Sequence, residues 1–190
     1  MPTEPPSHRR WTTIDSETVV DRWWLTLRAD HVRLPTGAEI EEFHVAEVPD
    51  WSLIVALTDD GKAVLVEQYR YPVDRTALEF AAGIIGEGET PLDAARRELL
   101  EETGYEAGTW TSLGPCAVEP ARQTNYGHLF VARGAHRVEA PSLDETEDLQ
   151  VRLVDAADLV GLVERGEIVH GMHAAAVFWA VHRGLVPGGA

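Results

Sequence analysis

Residues 83 to 105 read GIIGEGETPLDAARRELLEETGY, and ordinary surface patterning does not account for that order. The fixed points are Gly83, Glu89, Arg97, Glu98, Leu99, Glu101, Glu102, Gly104 and Tyr105. As a template they give G-x5-E-x7-R-E-U-x-E-E-x-G-U, where U is a bulky apolar or aromatic residue. At average residue usage, such a match arises by chance on the order of 10⁻⁹ or less per starting position. A glycine loop must therefore feed an acidic helix, and the rest of the chain has to be arranged around the two.

The local chemistry agrees. Thr90 is a favoured N-cap, and Pro91 at the first helical position gives up only an amide that would have had no partner. Asp93 suits the positive end of the helix dipole. Pro91 to Thr103 is rich in Ala, Leu, Glu and Arg, all good helix formers, and Gly104 is the natural residue to end the helix. Leu92, Ala95 and Leu99 recur as an apolar stripe. Glu98, Glu101 and Glu102 fall at i, i+3, i+4, so their carboxylates crowd one face. Like charges at that spacing cost a few tenths of a kcal/mol per pair (roughly 0.2–0.5), which a hard divalent cation reverses. Gly86 and Gly88 let the backbone come close to a metal or phosphate. A merely solvated helix would use Asp93, Arg97 and Glu101 as i, i+4 ion pairs, but it explains neither the glycines nor the three clustered glutamates.

Either side of this segment the chain alternates apolar and polar residues. Strands are expected at 11–15, 19–33 and 38–48, with a turn at Pro35-Thr36-Gly37. Further strands are expected at 51–58 and 63–71, joined through Asp59-Asp60-Gly61-Lys62, and a short one at 78–82. After the helix come strands at 109–116, 127–133 and 149–155, a short helix from Asp155 to about Glu164, and a last helix from Met172 to Arg183. Strands on both sides of a central helix, with helices at the end, give an α+β fold with a mixed sheet.

Composition removes several alternatives. The net charge is −16 and Lys62 is the only lysine, so no basic patch offers itself to a nucleic acid. Cys116 is the only cysteine, which excludes an intrachain disulfide. MPTEPPSHRR lacks the apolar stretch of a secretory signal, and no apolar run is long enough for a membrane helix. A cytoplasmic location is expected, with no membrane partner. Residues 1–10 and 187–190 are expected to be disordered, 11–48 to form an N-terminal antiparallel region, and 49–186 to form the main domain.

The segment 83–105 is the Nudix box, and the chain resembles Nudix hydrolases. VEQYRYPV and LEFAAG before the box, after an early antiparallel sheet, make it look like the ADP-ribose pyrophosphatases in particular. Alanine at position 81 replaces the proline common in the family, and Glu119-Pro120-Ala121 stands in place of Ser-Pro-Gly. The resemblance implies a Nudix α/β/α sandwich with an extra N-terminal antiparallel sheet. It also implies a homodimer in which the N-terminal strands exchange, and Mg²⁺-dependent (or Mn²⁺-dependent) cleavage of a nucleoside diphosphate derivative. ADP-ribose, giving AMP and ribose 5-phosphate, is the first substrate. Alternatives are another nucleotide sugar or a dinucleotide, or a Nudix-fold sensor that binds without turnover.

By the same resemblance Glu98, Glu102 and the Ala82 carbonyl hold metal, with Glu101 in direct contact or one shell out. Arg97 orients the glutamates. An arginine fork suits a pair of pyrophosphate oxygens, which gives Arg70 a substrate role against that of a strand-end surface arginine. Hydrolysis needs a base to orient or deprotonate the attacking water, and a carboxylate is a natural choice. The family's base lies in a loop like Leu143–Asp148, so Glu145 is expected there, with Glu147 as the alternative or as a further metal-shell group. Pro120 and Arg122 occupy the specificity loop, where Arg122 meets either a phosphate or solvent. Trp24, in an N-terminal strand, stacks on the base or serves core or interface. His170 and His173 are expected to be structural.

Overall fold

The computed structural model describes residues 9 to 188. The disorder expected for residues 1 to 8, 189 and 190 lies outside the described residues. Arg9, Arg10, Pro187 and Gly188, the described part of those ends, are exposed. The chain divides into two compact units, one reaching to Pro49 and including Ala117–Asn125, the other Asp50–Cys116 with the chain from Tyr126 onward.

In the first unit β1 (Thr12–Arg22), β2 (Leu25–Arg33) and β3 (Glu39–Glu47) form an antiparallel sheet in the order β1-β2-β3. Leu34 N–H donates to Ala38 O (2.8 Å) and Gly37 takes φ +86°, so Pro35-Thr36-Gly37 is the turn its residues predict. The expected strand 19–33 is two strands. Arg22 pairs with Leu25, leaving Trp23 and Trp24 as a two-residue turn. Tryptophan is a strand former with no turn chemistry, which is why the break is invisible in sequence. Trp23 stands 84% exposed. The loop 117–125 joins this unit by backbone pairing, with Ala46 N–H donating to Arg122 O (2.8 Å) and Thr124 N–H to Ala46 O (3.2 Å).

The second unit is built on β4 (Trp51–Thr58) and β5 (Lys62–Arg70), turned through Gly61 at φ +82°. β10 (Tyr126–Arg137) runs parallel to β4, while β11 (Leu149–Asp155) is antiparallel to β5, which makes the sheet mixed. The short β8 (Tyr105–Glu106) and β9 (Thr109–Ala117) pair with β10. β4 is buried along nearly its whole length, as a strand covered on both faces must be. α1 (Pro91–Thr103) covers one face: Ala95 and Leu99 pack with Ile54, Ala56, Val64, Ala81, Phe130 and Ala132. α3 (Gly171–His182) packs on β4 and β10 and joins α2 (Leu159–Glu164), meeting the alternate side chains of those strands. The unit is an α/β/α sandwich.

The expected strand 78–82 is also two, β6 (Arg75–Glu79) on β5 and β7 (Ala81–Ile84) on β4. Between them Phe80 leaves both ladders, and its N–H donates to His173 Nδ1 at 3.0 Å. This change of partner carries the glycine loop to the end of α1.

Candidate active site

The box helix starts and stops as its sequence dictates. Thr90 Oγ1 accepts from Asp93 N–H (3.2 Å) and donates to Asp93 Oδ2 (2.6 Å), and Gly104 ends the helix at φ +74°. The face turned to the sheet is wider than the apolar stripe, because Glu98 and Glu102 lie on it, each only 8% exposed. Two carboxylates therefore enter the protein beside Ala95 and Leu99.

They can do so because β7 comes very close. A Cβ at Gly83 would collide with the Glu98 carboxylate. One residue earlier, Ala82 N–H donates to Glu102 Oε2 at 3.2 Å. Gly88 turns the loop at φ +75°, and Gly86 N–H donates to Glu89 Oε2 at 2.9 Å. Gly86 thus spends its amide on the loop's own carboxylate.

Arg97 ties these pieces together. Its Nε and Nη2 donate to Glu89 (both 3.0 Å), and Nη2 also donates to Ile84 O (2.9 Å). Its Nη1 donates to Glu98 Oε1 (2.6 Å) and Glu101 Oε2 (2.9 Å). Glu89 is drawn below the ordinary carboxylate range, chiefly by Arg97. Burial pushes Glu98 up against the pull of Arg97. Glu102 has no such partner: burial, then the neighbouring Glu98, push it up to about 8.

The outer wall comes from the loop after β10. Val138 N–H donates to Gly104 O (2.9 Å) and Ser142 N–H to Glu101 O (2.8 Å), so the loop is laced to the C-terminal end of α1. Gly104 has a second reason to lack a side chain, since a Cβ there would strike Glu139 O. The loop's acidic turn closes on itself through Asp144 N–H to Glu147 Oε2 (2.9 Å). The result is a cavity of about 380 Å³ lined by Arg97, Glu98, Glu101, Glu102, Ser142, Asp144 and Glu147. A larger hollow of about 460 Å³ near Leu57, Arg133 and Val186 gathers no such set of charges.

Five expected residues thus meet in one cavity: Arg97, Glu98, Glu101, Glu102 and Glu147. Ala82 touches it through Glu102, whereas Glu145 is exposed and does not line it. Arg70 turns its fork inward, Nε to Glu79 Oε1 (2.8 Å) and Nη2 to Glu79 Oε2 (2.7 Å). Trp24, Pro120 and Arg122 belong to the first unit, and Trp24 sits in a turn rather than a strand. His173 is buried and accepts from Phe80, while His170 caps α3 by accepting from Met172 N–H (3.1 Å). Sequence reasoning missed Ser142, Asp144 and Glu79. For Glu79 a signal existed, an acid inside the apolar run Ala77-Leu78-Glu79-Phe80-Ala81.

The residues fit a hard divalent cation. The donors are all oxygens, two are buried carboxylates, and Gly83 keeps open the space where the Glu98 carboxylate sits. Among the described residues no three His, Cys, Asp or Glu side chains stand together as a finished cage. Arg97 takes up Glu98 and Glu101, and Ala82 N–H takes up Glu102.

The sequence profile described as NUDIX domain matches residues 47–172, and one described as nucleoside diphosphate sugar hydrolase N-terminal domain matches 11–46. An ADP-ribose pyrophosphatase of Bacillus subtilis is 33% identical over 87% of this chain and 89% of its own. One of Mycobacterium tuberculosis is 35% identical over 90% of this chain and 82% of its own. A crystal structure of an ADP compounds hydrolase superposes with a TM-score of 0.80 at 24% identity, covering 96% of this chain and all of the other, a likeness of fold. The chain belongs to the Nudix hydrolase family.

Proposed function

We propose that the protein hydrolyses the pyrophosphate bridge of a nucleoside diphosphate derivative, ADP-ribose first, giving AMP and ribose 5-phosphate. One observation carries the reading: Glu98 and Glu102 are buried side by side, and burial, then the neighbouring Glu98, hold Glu102 up to about 8. Water-poor paired carboxylates are a poor stability device and a good cation trap. The family works with divalent cations, and Mg²⁺, with Mn²⁺ as substitute, is the ion of choice for oxygen donors beside a diphosphate. Glu98, Glu102 and the Ala82 carbonyl would hold it, with Glu101 next to them. Bound there, it would draw charge from the bridge and lower the pKa of a water.

The chain's own groups do the rest. Arg97 keeps three glutamates aimed through its hydrogen bonds to Glu89, Glu98 and Glu101. Glu147, which lines the cavity, takes or orients the proton of the attacking water, and Glu145, two residues away, is the alternative. Arg70 presents a guanidinium edge to the diphosphate. From the first unit, Trp24 is offered for stacking on adenine, and Pro120 and Arg122 for shaping the nucleotide's seat. A homodimer with exchanged N-terminal strands suits an N-terminal sheet that leaves Trp11, Ile14, Val19, Trp23 and Trp24 exposed. A cytoplasmic site of action suits a chain whose one cysteine, Cys116, can form no intrachain disulfide. Among the described residues no helix is long and apolar enough to cross a membrane.

The departure at Glu119-Pro120-Ala121 and the match to a nucleoside diphosphate sugar hydrolase N-terminal domain favour a second reading, another nucleotide sugar. A panel of ADP-ribose, GDP-mannose, UDP-glucose and diadenosine polyphosphates, scored by kcat/KM with Mg²⁺, decides between them. ADP-ribose is expected to lead by about tenfold or more, as loss of a buried base contact costs at least that much. A GDP- or UDP-sugar in first place overturns the substrate, and no cleavage of any donor overturns the whole reading.

A further inference from the structure

Glu79 lies on β6 with 2% of its surface exposed, and both its oxygens accept from one side chain, the Arg70 fork. The pairing is bidentate at 2.8 and 2.7 Å, the strongest geometry a guanidinium offers a carboxylate. Behind Glu79 stands His173, equally buried, with Nε2 at 3.8 Å from Glu79 Oε2. His173 Nδ1 accepts from Phe80 N–H, so a neutral ring carries its hydrogen on Nε2, toward the carboxylate. Trp51 and Phe80 pack against that ring. The carboxylate is thus fixed from behind by rigid parts of the core.

Arg70, by contrast, is half-exposed at the end of β5, next to Tyr71 and Pro72, where a long side chain would otherwise sample many rotamers. Glu79 takes its Nε–Nη2 edge, and Nη1 makes no hydrogen bond to any described residue. We infer that Glu79 is a positioning residue: through its fork it holds Arg70 with the Nη1 edge free to meet a phosphate oxygen beside the carboxylate cavity. This rests on the proposed role of Arg70 at the diphosphate. A guanidinium already fixed in its bound orientation loses little freedom when the anion arrives, so the benefit falls on substrate affinity.

A double-mutant cycle on the full chain tests this, with Glu79→Gln and Arg70→Gln made singly and together. Each is assayed for kcat and KM with Mg²⁺ on the best donor of the panel, and for Tm. Glu79→Gln is expected to lower kcat/KM at least tenfold, mainly through KM, and to cost less than twofold once Arg70 is glutamine. Inorganic pyrophosphate should inhibit the single variant correspondingly less well. Should Glu79→Gln do equal harm in both backgrounds, its effect is structural and the positioning role falls alone. Should Arg70→Gln leave kcat/KM intact, the role of Arg70 falls first and takes this inference with it, while metal-assisted cleavage stands. Glu79→Asp covers the case in which the glutamine variant does not fold: it keeps the buried charge but draws the fork back by one methylene. A raised KM at wild-type Tm is expected, and a wild-type KM overturns the inference.

Discussion

Glu102→Gln should make the cation-free protein more stable while destroying its catalysis. Glu102 ionises at about 8 in the folded chain, against an ordinary 4.5 that the unfolded chain keeps. Burial is the largest cause, followed by Glu98 and, more weakly, Glu147; Ala82 N–H and Arg70 pull the other way. Between those two values the folded chain binds more protons than the unfolded one, so stability falls as pH rises through that window. At 1.36 kcal/mol per pH unit the loss is about 3 kcal/mol at pH 7 and approaches about 5 kcal/mol above pH 8. Glutamine has no proton to lose, and its side-chain oxygen still accepts from Ala82 N–H. For a domain of this size, 1 kcal/mol moves Tm by about 2–4 °C, so the variant should melt about 6–12 °C higher at pH 7 in EDTA. At pH 5 the gap should shrink to about 3 °C or less, because pH 5 lies only about half a unit above the unfolded chain's 4.5 and little of the window has been crossed. Adding Mg²⁺ at pH 8 should then raise wild type more than the variant, which keeps Glu98 and Glu101 but has lost one of the two buried carboxylates. Calorimetry across pH 4.5 to 9, with and without cation, reads all of this. A glutamine variant that melts below wild type at pH 8 in EDTA, or a gap that does not grow with pH, would refute the account of Glu102 as an unneutralised buried acid.

Gly83→Ala puts a Cβ into the Glu98 carboxylate, so Mn²⁺ affinity measured by titration calorimetry should fall about tenfold or more, the usual cost of disturbing a ligand's support. Glu147→Gln should lower kcat by about 10²–10⁴ while sparing Mn²⁺ affinity, with Glu145→Gln near wild type; the reverse ranking moves the base to Glu145. Arg97→Lys keeps the charge but cannot reach Glu89, Glu98, Glu101 and Ile84 O together, and should cost about 1–3 kcal/mol of stability and most of kcat/KM.

What the sequence disclosed is what short-range chemistry decides. The box helix begins at Thr90 and ends at Gly104 because its caps lie within four residues of the groups they satisfy. Gly37 and Gly61 sit where positive φ is required, so the turns they make were legible. The misplaced breaks lie where long-range packing overrides local preference. Trp23-Trp24 turn a hairpin with no turn residue, and β6 parts from β7 because His173, far along the chain, takes the Phe80 amide. The cavity follows the same division. Its glutamates were readable from helical spacing, whereas their burial depends on Gly83 and β7. That Glu147 lines the cavity and Glu145 does not depends on a loop laced to Glu101 O and Gly104 O, which no local pattern encodes.

Three acids are buried at this end of the sheet, and their differing treatment separates support from chemistry. Glu79 receives a whole guanidinium fork, so its charge is cancelled within the fold and its carboxylate can act as a fixed post. Glu98 shares one arginine nitrogen with Glu101, which leaves it only partly compensated. Glu102 has one backbone N–H at 3.2 Å and two acidic neighbours, which leaves it the least compensated of the three. A chain selected for stability alone would replace that carboxylate with an apolar side chain, since a buried unpaired charge is a net loss. Its retention beside Glu98 makes sense when the missing positive charge arrives from solution, together with the diphosphate it serves. The deficit is graded along one helix face, smallest where Arg97 reaches and largest one turn further on. On the reading proposed above, a cation entering the cavity completes the compensation at Glu102, one turn past the reach of Arg97.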